Sequence, residues 1–116
     1  MPIKSRYLFT AAMDVEPGKD AIFNEVYDKE HVPSLLEVPG VIAVARFKRR
    51  ELEMFIGGER RKIVIEGEPT YTAIYEVESP SVLVTPQWAA AVEKGRWPGQ
   101  VRPYTKNRRH VMWEKI

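Results

Sequence analysis

The stretch Asn24–Gly40, NEVYDKEHVPSLLEVPG, decides how the rest of the chain is arranged. It begins within a predicted helix, places His31 two residues before Pro33, and ends in a Pro-Gly pair that predicts a chain reversal. Because proline disfavours helical geometry in the residue before it, we expect the helix to stop or kink at Pro33. The residues that follow, VIAVARF, predict a buried strand. The stretch therefore predicts a corner between a helix and a strand, with a histidine at the corner.

Upstream of this corner the sequence predicts one strand and one helix. The strand covers Ile3 to Met13, where apolar side chains recur at every second position. The helix covers Pro17 to His31, because proline is favoured at the first helical position and an apolar stripe follows. A stripe of this kind is typical of a helix that lies on a sheet.

Downstream of the corner, alternation and turn residues predict three more strands, a hairpin and a second helix. The second strand is expected at Val41 to Arg50, and Val41, Ala43, Ala45 and Phe47 are expected on one face of it. The remaining elements are a hairpin within 51–68, a strand at Thr70 to Glu78, a helix at Pro86 to Lys94 and a last strand at Val101 to Glu114. Ser79-Pro80 and Thr85-Pro86 are both typical of helix starts.

This order predicts an α+β fold, a ferredoxin-like β-α-β-β-α-β sandwich with an inserted hairpin. Both helices would cover one face of a four-stranded antiparallel sheet and leave the other face open. The strands carry apolar residues on both faces, for example Phe9 beside Leu8 and Tyr75 beside Ile74. An open apolar face is typical of an association site, so we expect a homodimer in which two sheets face each other and form a shared barrel.

Composition narrows the function classes. The 116 residues predict a single domain, 1–116, with a net charge of +2 that gives no reason to expect nucleic acid binding. The chain has no cysteine, which excludes disulfides, thiolate nucleophiles and cysteine metal sites. No apolar run is long enough to span a membrane, and the polar residues in the first strand argue against a signal peptide. We therefore expect a cytoplasmic protein with no membrane partner.

Three segments resemble the EthD-like branch of the dimeric α+β barrel superfamily. They are NEVYDKEHVPSLLEVPGVIAVARF, PTYTAIYEVESPSVL and QWAAAVEKGRW, in that order along the chain. In that branch a helix ends in a His-x-Pro element, and a Pro-Gly turn leads into the second strand. The superfamily includes cofactor-independent cyclases, monooxygenases and isomerases that act on small, often aromatic, metabolites; some members bind haem and many have no assigned activity. The resemblance implies a small-molecule site and leaves the reaction open.

His31 is the first candidate for a catalytic residue. An imidazole titrates near neutrality, so it can act as acid or base where other side chains cannot. The corner would direct it at a cavity between sheet and helix, and the resembling branch carries its histidine in this motif. The alternative is that His31 only caps the carbonyl end of the helix.

Four other residues are candidates for substrate binding. Tyr27 and Phe23 precede His31 by four and eight residues, a spacing that would form an aromatic wall for a flat ligand or plain core. Arg46 would bind a carboxylate or phenolate at a pocket edge, or simply reach water at a strand end. Trp88, together with Trp97, would close the far side of the cavity, unless it serves only in packing.

Cofactor and metal sites have little support in the sequence. The two histidines lie far apart along the chain without a carboxylate cluster, so we expect no metal. Haem would need an axial histidine, which His31 could supply, but no other feature favours it. Two functions stay open: a cofactor-independent enzyme acting on a hydrophobic or aromatic compound, and a non-catalytic dimeric binding or accessory protein.

Overall fold

The computed structural model describes residues 3–116, and its strands and helices follow the predicted order. The strands are β1 (Tyr7–Val15), β2 (Val41–Lys48), β3 (Leu52–Ile56), β4 (Glu59–Ile63), β5 (Tyr71–Val77) and β6 (Thr105–Glu114). The α-helices are α1 (Asp20–Val26), α2 (Val32–Leu36) and α3 (Pro86–Ala91). Two π-helical turns, Tyr27–His31 and Trp97–Val101, and two 3₁₀ turns, Pro80–Val84 and Arg102–Tyr104, complete the helical segments.

Four strands form one antiparallel sheet in the order β2-β5-β1-β6. The first strand and the fifth strand lie at the centre, and the hairpin β3–β4 forms a separate two-stranded sheet. This is the ferredoxin-like arrangement with an inserted hairpin that the sequence predicts. Both expected helix caps are present, since Ser79 Oγ accepts a hydrogen bond from the Ser81 N–H and Thr85 Oγ1 accepts one from the Trp88 N–H.

The sequence predicts that the first helix stops or kinks at Pro33, and the structure shows that it does not stop there. The chain continues from α1 through the turn Tyr27–His31 into α2 and leaves the helical conformation only after Leu36. In the turn, the Val32 N–H donates to the carbonyl oxygen of Tyr27, five residues back. This wider turn accommodates the ring of Pro33, which has no N–H to donate, so the proline does not break the helix.

The face of the sheet that the helices cover forms the core. Alternate residues of β5, from Tyr71 to Val77, are buried against Phe23, Val26 and Leu35 of the helical layer. In β2, an irregularity between Val41 and Ala43 corrects the predicted faces. Val41 pairs with Val77 and Val44 pairs with Tyr75, so these two valines share the core face and Ala43 does not. The extra residue of a bulge reverses the alternation, which a strict period of two cannot anticipate.

The face opposite the helices is apolar and open to solvent. Phe47, Val111 and Trp113 on this face are 54%, 38% and 56% exposed, and Leu8 and Ile74 lie between them on the central strands. We refer to these five side chains as the open sheet face. Exposed apolar surface on a central sheet is typical of an association site.

The Pro39-Gly40 turn joins α2 to β2, as predicted. Gly40 has a φ of +94°, and a Cβ at this position would collide with the side chain of Val82. Only glycine fits both conditions without strain. Among residues 3–116, no helix has the length and apolar character that crossing a membrane requires.

Candidate functional site

A cavity of about 370 Å³ lies between the covered face of the sheet and the helical layer. This volume is within the range of about 300–1,000 Å³ that is typical of small-molecule sites. Its walls are mostly aromatic and aliphatic, with basic groups on one side. They are formed by Phe9, Ala11, Met13, Tyr27, His31, Leu35, Tyr75, Leu83, Trp88, Val92, Trp97, Arg102, Thr105, Arg108 and His110.

The two π-helical turns contribute three rings to this cavity, Tyr27 and His31 from the first and Trp97 from the second. His31 ends the first turn and Trp97 begins the second. The rings of His31 and Trp97 stack with centroids 4.0 Å apart and planes 14° apart, and the Tyr27 ring is perpendicular to His31 with centroids 5.0 Å apart. π-helical turns are rare and occur often at functional sites. Two of them flanking one cavity mark this part of the molecule as the candidate site.

The stack of His31 on Trp97 is held by the residues that precede each ring. Glu30 Oε1 accepts a hydrogen bond of 2.9 Å from the Arg96 N–H, and Oε2 accepts one of 2.6 Å from Arg96 Nε. These bonds to Arg96 hold the pKa of the Glu30 carboxyl below its usual value. The ion pair therefore fixes the two turns relative to each other, and with them the two rings.

His31 is a neutral, buried imidazole. Its side chain is only 6% exposed, and Nδ1 is buried without a hydrogen-bond partner among the residues that the structure describes. Burial lowers the pKa of His31 to about 4, and the positive charges of Arg102 and Arg46 add to the effect. A buried polar atom without a partner is uncommon in proteins and is often tied to function.

The hydroxyls of Tyr27 and Tyr75 form a second polar feature of the cavity. The two oxygens lie 2.7 Å apart and both side chains are buried. Burial raises the pKa of both phenols, so both remain protonated at neutral pH. Two hydroxyls that share one hydrogen bond keep one O–H free to donate. The pair is thus a source of one hydrogen bond to an oxygen atom of a ligand.

The tyrosine pair should be coupled in stability. Tyr27→Phe or Tyr75→Phe alone leaves one buried hydroxyl without its partner, and each should lower the free energy of unfolding by about 1–2 kcal/mol. The double variant should lose about 1 kcal/mol less than the sum of the two, because it leaves no unpaired hydroxyl. Urea unfolding of the four proteins measures this difference. Additive losses would show that the hydroxyls do not pair.

Strand β6 reaches the cavity through a bulge. Ala12 pairs with Arg109 whereas Asp14 pairs with Lys106, so β6 has one additional residue in this interval. Asn107 lies there with a φ of +52°, a conformation that asparagine adopts more readily than most residues. In an unbroken strand Thr105 and His110 would lie on opposite faces, but the bulge brings both to the cavity wall.

The structure brings three of the five predicted site residues to this cavity and leaves two outside it. His31, Tyr27 and Trp88 line the cavity, and the Trp88 ring is steeply inclined to those of Phe9 and Tyr75, with centroids 6.1 Å and 5.8 Å apart.

Phe23 is buried in the core against Tyr27 and Trp97. Arg46 lies on the far side of the Tyr27 ring, 4.4 Å from its centroid, and donates to Asp28 and Asn24 in a separate surface pocket. The substrate-binding role expected for Phe23 and Arg46 stays a prediction.

Sequence reasoning missed several residues of the site. Glu30 carries no signal of its role in the sequence, because its partner Arg96 is distant along the chain. The contribution of Tyr75 follows only from its pairing with Tyr27 across the core. Arg108 and His110 share the helix-covered face by alternation, but the sequence does not reveal the bulge at Asn107 that brings Thr105 to the same face.

No cluster of three or more metal-ligating side chains occurs within the described residues 3–116.

Comparison with known proteins identifies solved structures that share this fold. The sequence matches no family model and no curated protein. Among solved structures, a variant of the cofactor-independent oxygenase SnoaB from Streptomyces nogalater is 13% identical, with 97% of this chain and 94% of that chain covered and a TM-score of 0.60. An ethyl tert-butyl ether degradation (EthD) family protein from Bacillus halodurans is 12% identical, with 95% and 99% covered and a TM-score of 0.56.

The haem-degrading protein MhuD from Mycobacterium tuberculosis is 13% identical, with 95% of each chain covered and a TM-score of 0.61. The chain has the fold of these proteins. The resemblance to the EthD-like branch of the dimeric α+β barrel superfamily is therefore confirmed at the level of the fold. At these identities the likeness does not extend to the reaction.

The cavity does not fit haem well. MhuD was solved with two haems in its active site. Here the volume of about 370 Å³ is near the lower end of the range for drug-sized ligands, and a haem is larger than such ligands. The reaction proposed for this cavity does not involve haem.

Proposed function

We propose that this chain is a cofactor-independent enzyme that acts on a small hydrophobic or aromatic compound, with His31 as the group that takes up a proton. The observation that carries the proposal is the buried imidazole in an aromatic cavity, with Nδ1 unpartnered among the described residues. The cavity combines three complementary features: the neutral base His31, a tyrosine pair that stays protonated and has one O–H to donate, and flat aromatic walls.

The geometry supports proton removal next to a carbonyl group. A flat ketone or phenol would lie between the aromatic walls, where water is excluded and electrostatic interactions are stronger. Neutral His31 would accept the proton from carbon or oxygen and become an imidazolium. The free O–H of the Tyr27–Tyr75 pair would donate to the oxygen on which negative charge develops. Return of the proton to a different atom gives isomerisation or cyclisation without a cofactor.

A second candidate function is binding without catalysis. The pKa of His31 of about 4 favours it, because an imidazole with so low a pKa is a weak base at neutral pH. A non-catalytic dimeric ligand-binding or accessory protein would use the same cavity. The two functions differ in whether His31 is needed for turnover or only for packing against Trp97.

Deuterium exchange separates the two functions. α-Tetralone is a flat aromatic ketone with an acidic carbon next to its carbonyl group, and its exchange in D₂O is followed by proton NMR. The protein should accelerate this exchange over buffer, and His31→Gln should reduce the acceleration at least about hundredfold, because general bases contribute about 10²–10⁴-fold. Binding of α-tetralone, measured by quenching of tryptophan fluorescence, should change much less than the rate of exchange.

The matched control for this experiment is Lys29→Gln. Lys29 lies in the same π-helical turn, is exposed, and pairs only with Glu25 among the described residues. It should exchange and bind like the wild-type protein. Binding without any acceleration in the wild-type protein would remove the catalytic proposal and leave the binding function.

The proposal includes a homodimer of single-domain chains, 1–116, paired through the open sheet face. The exposed apolar side chains of that face support it. The cytoplasmic location expected from the sequence, and the absence of metal, nucleic acid and membrane partners, stay predictions.

A further inference from the structure

The charges around the cavity of His31 are not balanced. Two arginines line it, Arg102 and Arg108, whereas no aspartate or glutamate does among the described residues. His31 adds no charge at neutral pH, since its pKa lies at about 4. The balance therefore depends on what the two arginines contact.

Arg102 is neutralised within the chain. Its Nη1 donates to Glu93 Oε1 at 3.0 Å, and its Nη2 donates to Glu93 Oε2 at 2.6 Å and to the Val92 carbonyl at 2.8 Å. A two-point pair of this kind holds both the charge and the direction of the guanidinium. Arg102 therefore has little capacity left for a ligand.

Arg108 differs from Arg102 because its guanidinium is neither neutralised nor held in place by a carboxylate of the described residues. It follows the bulge at Asn107 and lines the cavity, yet it is exposed to solvent. Among the hydrogen bonds and ion pairs of residues 3–116, none involves its guanidinium. The neighbouring Arg109 points to the other face, where it donates to Gly67 and pairs with Glu68. Arg108 is thus a guanidinium with its donors available at the mouth of an apolar cavity.

We infer that the ligand of this cavity is a flat aromatic carboxylate, whose acid group pairs with Arg108 at the mouth and whose ring lies between the aromatic walls. The inference rests on the proposed function, because it uses the same cavity. A guanidinium recognises a carboxylate through two parallel hydrogen bonds, which a neutral group cannot form with the same strength. Arg108 then selects the substrate class, and His31 acts deeper in the cavity.

Two probes of the same shape test the charge. β-Naphthoate and β-naphthamide differ in one charged group, and isothermal titration calorimetry at low ionic strength measures the Kd of each. The wild-type protein should bind the naphthoate at least about tenfold more tightly than the naphthamide, as expected for a charge-assisted hydrogen bond. Added salt should reduce this ratio, because the mouth of the cavity is exposed.

Arg108→Gln should weaken naphthoate binding about tenfold and leave naphthamide binding unchanged, so that the ratio approaches one. Arg108→Lys should keep part of the preference, since a lysine retains the charge without the two-point geometry. The control is Arg50→Gln, which removes the same charge from an exposed arginine that does not line this cavity. It should behave like the wild-type protein.

The outcomes separate this inference from the proposed function. If the wild-type protein binds both probes equally and Arg108→Gln changes neither Kd, the inference on the carboxylate fails while the cavity remains a ligand site. If neither probe nor α-tetralone binds to the wild-type protein, both proposals fail together. An equal loss of naphthoate binding in Arg108→Gln and Arg50→Gln would assign the preference to net charge alone and would also overturn the inference.

Discussion

Between pH 6.5 and pH 4 the wild-type protein should lose about 3 kcal/mol more stability than the His31→Gln variant. In the folded state the pKa of His31 is lowered to about 4 by burial, whereas the unfolded chain titrates near 6.5. As the pH falls below 6.5, His31 becomes protonated in the unfolded state while it stays neutral in the folded state, which favours unfolding. This contribution to the free energy of unfolding has its full value above pH 6.5 and decreases as the pH falls towards 4. Below about pH 4 the loss is complete and the contribution no longer changes with pH.

The comparison with His31→Gln isolates this effect. Carboxyl groups whose pKa is lowered by hydrogen bonds, such as Asp14 and Glu30, also lose stabilising energy in acid. They are present in both proteins, so their contribution cancels in the difference. Urea unfolding of the two proteins at equal concentration, over a series of pH values, measures the difference directly. Parallel curves would show that the folded protein does not hold His31 neutral.

Val111→Glu should convert the protein from a dimer to a monomer in sedimentation experiments. Val111 lies on the open sheet face, is 38% exposed in the single chain, and would be buried between two sheets. In a symmetric dimer the substitution places a carboxylate in the interface from each side. Burying an unpaired charge costs several kcal/mol, so the dimer should weaken by more than about hundredfold.

Val84→Glu is the matched control for this experiment. Val84 is 84% exposed, but it belongs to the 3₁₀ turn Pro80–Val84 in the helical layer and not to the open sheet face. The wild-type protein and Val84→Glu should both sediment at about twice the chain mass of 13.4 kDa. Val111→Glu should sediment at the mass of a single chain. A wild-type protein that sediments as a clean monomer at micromolar concentration would remove the dimer proposal.

Much of the fold could be predicted from the sequence because it depends on local signals. The strand alternation, the capping pairs at Ser79 and Thr85, and the Pro-Gly turn each act over a few residues. The irregular features could not be predicted in this way. The π-helical turn at Tyr27–His31 and the bulges in β2 and β6 each contain one additional residue, whose cost is offset by packing elsewhere in the chain.

The same distinction applies to the site. His31 and Tyr27 were predicted because the corner and the helical spacing lie within one segment. The partners that determine their chemistry come from other segments: Trp97 stacks on His31, Tyr75 bonds to Tyr27, and Arg96 holds Glu30. Such pairings follow from tertiary packing, which spacing along the chain does not reveal.

The π-helical turn also affects how this chain should be aligned with its relatives. Each residue of an α-helix advances by about 100°, so one added residue rotates everything after it by that angle. An α-helical projection that starts at the first residue of α1 therefore places His31 on one face. A projection that runs backwards from Pro33 places it on another. In a relative without the added residue, the equivalent of His31 would stand one alignment column away. Its counterpart is better identified by a tryptophan stacked on it than by its column.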